Sequence, residues 1–139
     1  MIVVDVNVVA YLLIQGESTA LAQAVWQRDP AWCLPPLWRH EYLNILATYV
    51  KTGGATSEEA SSLWGEALRL FAAGERVTDM EQALAIAVEH GISAYDGQYV
   101  ALAAALRVPL VTADRRLRKV FPGRLFSMEE FCSGVASPS

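Results

Sequence analysis

Apolar positions change their period along this chain. Ile2, Val3 and Val4 run together without polar alternation, the pattern of a strand covered on both faces, as in a parallel sheet. From Val8, Val9, Leu12 and Leu13 the spacing becomes helical, so strand passes directly into helix around Asp5 and Asn7. A turn at residues 15–18 leads to a helix expected over 19–28. Asp29-Pro30 ends it, because proline disfavours helical geometry in the residue before it. A short strand is expected at 31–34, ended by Pro35-Pro36. The long helix that follows, over 37–51, carries Tyr42, Leu43, Leu46, Tyr49 and Val50 in helical register and stops at Thr52-Gly53-Gly54.

Capping signals order the second half. Thr56 with Glu59 forms a capping box for a helix over 57–73, with Trp64, Leu68 and Phe71 on one face. Gly74 breaks it, and Arg76-Val77-Thr78 reads as a weak third strand. Thr78 with Glu81 reads as a second box, opening a helix with Met80, Ala83, Leu84, Ala87 and Val88 on one face and Gly91 at its end. Ser93 with Asp96 is a third box-like pair, before a helix over 95–107. A strand at 109–112, a short helix at 115–120, a strand at Leu125-Phe126 and a box of Ser127 with Glu130 complete the chain. Strands alternating with helices predict an α/β layered fold with a parallel sheet. No interior segment is long or polar enough to act as a linker. The 139 residues are therefore read as one domain over 1–133, with 134–139 as a frayed tail.

Composition narrows the classes. With 53% hydrophobic and 19% charged residues the chain has enough apolar material for a core. Its longest uninterrupted apolar run, residues 99–106, is far too short to span a bilayer. No basic segment leading into an apolar one opens the chain, so a secretory signal is not expected. Cys33 and Cys132 are read as reduced thiols of a cytoplasmic protein. A net charge of −4 argues against non-specific nucleic-acid binding overall. Five of the eleven basic residues nevertheless crowd together as Arg115, Arg116, Arg118, Lys119 and Arg124. They form either a solvated helix face or a phosphate-contacting patch.

Four carboxylates stand out by position. Asp5 and Asp114 end strands, Asp96 opens a helix, and Glu41 lies on the face of the long helix shared with Leu37 and Ile45. Strand ends and helix starts can meet at one edge of a parallel sheet, where open α/β folds gather their chemistry. Crowded carboxylates repel and raise one another's pKa, and oxygen-rich clusters of this kind take hard cations such as Mg²⁺ or Mn²⁺. The alternative is that Asp5 and Asp114 only cap helices and that Asp96 only closes a box with Ser93. Pattern alone leaves both open. Ser18, Ser93 and Ser127 have no nearby base motif, so a nucleophilic hydrolase is not indicated. Gly53-Gly54 follows a helix rather than a strand, which is not a phosphate loop. His40 is about 100° round the helix from Glu41, and His90 reads as a helix C-terminal dipole partner.

Four segments carry a resemblance: Val4-Asp5-Val6-Asn7, His40-Glu41-Tyr42-Leu43-Asn44, residues 95–103 from Tyr95-Asp96-Gly97 to Ala103, and Leu110-Val111-Thr112-Ala113-Asp114. In that order and spacing they resemble PIN-domain proteins of the VapC toxin type over nearly the whole length. The resemblance implies a three-layer α/β/α fold with a short central parallel sheet of four to five strands. It implies a Mg²⁺- or Mn²⁺-dependent endoribonuclease, the toxin of a toxin–antitoxin pair, with Asp5, Glu41, Asp96 and Asp114 as catalytic and metal-holding residues. Asn7 and Thr112 match supporting polar positions. Where some relatives carry a further acid after the fourth carboxylate, this chain has Arg115 and Arg116. These two, with Lys119, are candidate RNA-phosphate contacts. A cognate antitoxin and a homodimer are the implied partners. The aromatic residues Trp38, Tyr42, Tyr49, Trp64 and Phe71 either pack the core or face a partner groove. A PIN-type nuclease of RNA maturation and a non-catalytic binding module are the alternatives. A receiver-like phosphoacceptor would need a lysine after a late strand. A haloacid-dehalogenase-type phosphatase would need Asp where Asn7 stands.

Overall fold

The computed structural model describes residues 1–134. Of the tail expected to fray, only Gly134 lies within this range, its N–H bonded to the Phe131 carbonyl; residues 135–139 lie outside the described residues.

Four short strands form one parallel sheet: β1 (Ile2–Val4), β2 (Trp32–Cys33), β3 (Leu110–Val111) and β4 (Leu125–Phe126), in the order β2-β1-β3-β4. Ile2 pairs with Trp32, Val3 with Leu110, and Val111 with Phe126. Such parallel neighbours need crossovers, and helices supply them. α1 (Val6–Leu13) and α2 (Thr19–Arg28) link β1 to β2. α3 (Leu37–Lys51), α4 (Ser57–Phe71), α5 (Met80–His90) and α6 (Ala94–Leu106) link β2 to β3. α7 (Arg115–Val120) links β3 to β4, and α8 (Met128–Cys132) follows. The helices flank the sheet as three α/β/α layers. β1 is central and apolar on both faces, and Ile2, Val3, Val4, Leu110 and Val111 are fully buried.

The aromatic residues of α3 and α4 go mainly to the core. Trp38, Tyr42 and Phe71 are buried, Trp64 stacks on Trp38 and Tyr42, and Trp32 stacks on Phe71 with centroids 5.5 Å apart. Glu75 ties the start of α3 to the sheet edge. It accepts from Trp38 Nε1 at 2.6 Å and from the Arg39 guanidinium.

Several local expectations are corrected. The strand at 76–78 does not form: Leu34 and Glu75 make a single parallel bridge, and Val77 is 94% exposed. A β-branched pair has strand propensity, but here it finds no strand to lie against. The box of Thr78 with Glu81 is replaced by a cap one residue later. Asp79 accepts from the Gln82 N–H at 3.0 Å, and the Thr78 hydroxyl is buried without a partner among the described residues. Last, α5 splits its apolar residues between two faces. Ala83, Ile86 and Ala87 turn inward, while Met80, Leu84 and Val88 are exposed. The inward side is small because α5 and α6 approach closely: a Cβ at Gly97 would lie 2.6 Å from the Ala83 carbonyl oxygen. Gly74 is required for the same reason, against the Trp32 carbonyl at 2.2 Å. It closes the 3₁₀ turn Ala72–Gly74 that follows α4, which stops at Phe71 rather than at 73.

Candidate active site

Asp5 leaves β1 in extended backbone geometry and caps α1, its Oδ1 accepting from the Val8 N–H at 3.1 Å. Its Oδ2 accepts from the Thr112 hydroxyl and from the Ala113 N–H at 3.2 Å. One oxygen is thus fixed by its own helix and the other by the residues that follow β3. The geometry is possible because Asp5 N–H bonds to the Val111 carbonyl, which continues the ladder past the last residue of β1. Thr112 is fully buried, and its Oγ1 also accepts from the Asp114 N–H at 3.0 Å. Asp114 caps α7, with Oδ1 accepting from the Leu117 N–H at 3.0 Å.

Asp96 sits in the first turn of α6. Its N–H donates to Ser93 Oγ at 3.0 Å, but its carboxylate does not return to the Ser93 backbone as a closed box requires. Glu41, in α3, accepts from the Tyr99 hydroxyl at 2.6 Å through Oε1. A cleft of about 70 Å³ is lined by Asp5, Asn7, Glu41, Asp96, Tyr99, Thr112 and Asp114. All four expected carboxylates and both supporting residues reach this one cleft. Asp5 and Asp114 also cap α1 and α7, as the capping alternative expects, so each caps a helix and lines the cleft.

The electrostatics are those of uncompensated like charge. None of the four carboxylates makes an ion pair among the described residues. Burial pushes the Asp5 carboxyl upward, against the hydrogen bonds from Thr112, Val8 and Ala113. Burial also raises Glu41, opposed by the Tyr99 hydroxyl and reinforced by Asp96 and Asp5. Asp96 is raised by burial and then by Asp114, against the Ser93 hydroxyl. This donor set, all oxygen and all anionic, suits a hard divalent cation. As they stand, the side chains are spread around the cleft: among the described residues no three His, Cys, Asp or Glu groups are drawn together tightly enough to hold an ion.

The basic run lies beside this cleft in sequence but does not line it. Arg115, Arg116 and Lys119 are exposed. Arg118 turns inward and donates to the Thr112 carbonyl at 2.7 Å. His40 is exposed and lines no part of the cleft, and His90 rests against the Phe121 ring. Wider apolar grooves, of about 470 and 400 Å³, run beside α1, α3 and the start of α4. The second shares Asn7 with the acidic cleft, and Tyr49 lines both grooves. Tyr99 is the residue of this site that pattern reading passes over. A tyrosine three positions after Asp96 shares its helix face, yet nothing local ties it to Glu41, 58 positions away.

The PIN-domain family profile matches residues 2–121. The chain belongs to the PIN-domain family. This PIN domain is 33% identical over 125 residues to Ribonuclease VapC3 of Pyrobaculum aerophilum, a match covering 87% of this chain and 95% of that protein. Its fold is similar to the crystal structure of PAE2754 from the same organism, with a TM-score of 0.75 and 23% identity, covering 98% of this chain and 89% of the other. FitAcB from Neisseria gonorrhoeae has a TM-score of 0.67 and 21% identity, over 93% and 99% of the two chains. A toxin–antitoxin complex from Klebsiella pneumoniae has a TM-score of 0.66 and 16% identity, over 92% and 98%.

Proposed function

We propose that this PIN domain is a metal-dependent endoribonuclease, the toxin of a toxin–antitoxin pair. The observation that carries the reading is the convergence of four uncompensated carboxylates, from β1, α3, α6 and the end of β3, on one cleft. The 33% identity to a VapC ribonuclease supports RNA as the substrate. Asp5, Glu41, Asp96 and Asp114 would hold a divalent cation, Mg²⁺ or Mn²⁺. When bound, such an ion lowers the pKa of its water and offsets charge on the scissile phosphate. Without a cation the cleft would repel an RNA backbone, so these carboxylates make substrate binding conditional on metal. Thr112, through its bond to Asp5, holds one member of the set in a fixed orientation. Asn7, exposed at the cleft mouth, is left free to meet substrate. Arg115, Arg116 and Lys119 are free to contact flanking phosphates, whereas Arg118 is committed to the Thr112 carbonyl.

Partners follow from the same reading. A cognate antitoxin would occupy the apolar grooves beside α1, one of which adjoins the cleft through Asn7. A second copy of the chain would cover Met80, Leu84 and Val88, which repeat at i, i+4 and i+8 on the open side of α5. No helix among the described residues is long and apolar enough to cross a membrane. A cytoplasmic location fits a toxin acting on RNA.

The test is RNA cleavage by the purified chain in Mg²⁺ or Mn²⁺, against Asp5→Asn, Glu41→Gln, Asp96→Asn and Asp114→Asn. Each variant should lose about 100-fold or more, the scale on which one transition-state electrostatic contact is felt. Wild-type rates in any two of them, at fixed metal, would remove the cleft from the reaction.

A further inference from the structure

Tyr99 is 3% exposed, and a buried phenol needs a partner for its hydroxyl. It finds that partner in Glu41 Oε1, at 2.6 Å, in the short range expected of a hydrogen bond to an ionised acceptor. Glu41 is the member of the quartet that most needs fixing. Asp5 and Asp114 are held by backbone N–H groups at helix starts, and Asp96 sits on a short side chain in the first turn of α6. Glu41 projects from the second turn of α3 on three rotatable bonds, with no backbone donor within reach among the described residues. Its other oxygen, Oε2, accepts no hydrogen bond among the described residues. Tyr99 lies three positions after Asp96, so a single face of α6 presents one carboxylate and clamps another.

We propose that Tyr99 is a positioning residue for metal binding, holding Glu41 by one oxygen so that the other is offered to the cation in a fixed orientation. The inference rests on the proposed metal-dependent nuclease site. A neighbour that orients a ligand in this way is typically worth about 10- to 100-fold in metal affinity. Loss of the hydroxyl alone leaves Glu41 in place as a ligand, so the deficit is one of affinity and is overcome by raising the metal concentration. Loss of the Glu41 charge is not.

The experiment compares wild type, Tyr99→Phe, Glu41→Gln and Val100→Ala. Val100 is buried on the same helix and lies outside the cleft, so its truncation reports weakened packing. Mn²⁺ affinity is read in the absence of RNA from the paramagnetic resonance of free Mn²⁺. RNA cleavage is read as kcat and KM across a Mn²⁺ titration. Tyr99→Phe should bind Mn²⁺ about tenfold more weakly. Its kcat/KM should fall at low Mn²⁺ and return to the wild-type value at saturating Mn²⁺. Val100→Ala should melt lower with wild-type Mn²⁺ affinity, and Glu41→Gln should not be rescued. Wild-type Mn²⁺ affinity in Tyr99→Phe, with wild type itself binding, would overturn the role of Tyr99 and leave the site standing. A Tyr99→Phe that melts lower and binds no worse than Val100→Ala does the same. Absence of Mn²⁺ binding by wild type would overturn the site and this inference together.

Discussion

Thr112 donates its hydroxyl hydrogen to Asp5, joining the ends of two adjacent strands across 107 positions of sequence. With the N–H groups of Val8 and Ala113, this bond leaves no oxygen of Asp5 without a donor. The four carboxylates are therefore not equivalent in the metal-free protein.

Neutralising them should accordingly have different effects. Burial and Asp114 make the charged form of Asp96 unfavourable, and no backbone donor within the site depends on its carboxylate. Asp96→Asn should melt higher than wild type in chelator and gain less from added Mn²⁺, since a ligand that binds only the folded state stabilises it. Asp5→Asn must turn an amide N–H₂ toward a donor it now faces, an unsatisfied contact costing about 1–3 kcal/mol. It should melt lower in chelator. Thermal melts of both variants, with and without metal, decide this; identical behaviour of the two would refute the distinction.

The exposed arginines of α7 should act through charge. Arg115→Ala with Arg116→Ala should weaken RNA binding and make the dependence of log Kd on log salt shallower. The slope should change by about 0.7 for each phosphate of single-stranded RNA that is no longer neutralised. A salt titration with an unchanged slope would return both residues to a solvated helix face.

Glu75 carries a pH dependence outside the cleft. The Arg39 and Trp38 hydrogen bonds hold its carboxyl below the usual range. Its contribution to stability is therefore complete above the unfolded value, about 4.3, and is lost as pH falls through the lower folded value. Arg39 is 41% exposed, so the ion pair itself is worth less than about 1 kcal/mol. Glu75→Gln should be less stable than wild type at neutral pH, and the gap should narrow as pH falls below the unfolded value, about 4.3, toward the lower folded one. Denaturant titrations at neutral and at acid pH check this; a gap that is constant or widens in acid contradicts it.

The open side of α5 should govern assembly. Leu84→Glu places a charge in the middle of the Met80, Leu84 and Val88 stripe. Wild type should sediment as two chains and the variant as one, with little change in melting of the monomer. A variant that remains dimeric would place the interface elsewhere.

How much of this can be read from the residues alone differs from element to element. The bounds of α2, α3 and α7 are readable because local chemistry sets them: Asp29-Pro30, the Pro35-Pro36 pair before Leu37 and Thr52-Gly53 after Lys51, and Asp114 before Arg115. The first strand is readable because only a two-sided environment makes use of three consecutive β-branched residues. Thr78 and Asp79 are both good caps, and only the direction of the incoming chain selects between them. The inward face of α5 depends on its fit against Gly97 in α6, which apolar spacing does not encode. Each member of the acidic quartet sits at a predictable place in its own element. That all four meet depends on the order β2-β1-β3-β4, which periodicity does not determine. The Tyr99–Glu41 bond needs α3 and α6 placed in three dimensions before it can be seen.

The position of β1 has a consequence for synthesis. It leaves the ribosome before the other three strands yet lies in the middle of the sheet, and the donors that orient Asp5 from outside its own helix come from residues 112 and 113. A nascent or truncated chain that ends just before them holds Asp5, Glu41 and Asp96 but lacks both the clamp on the first and the fourth carboxylate, Asp114. A nuclease built this way stays unassembled while the residues from β1 to β3 are being translated. On the proposed reading, the cleft that would meet RNA is complete only once residues 112–114 have been made.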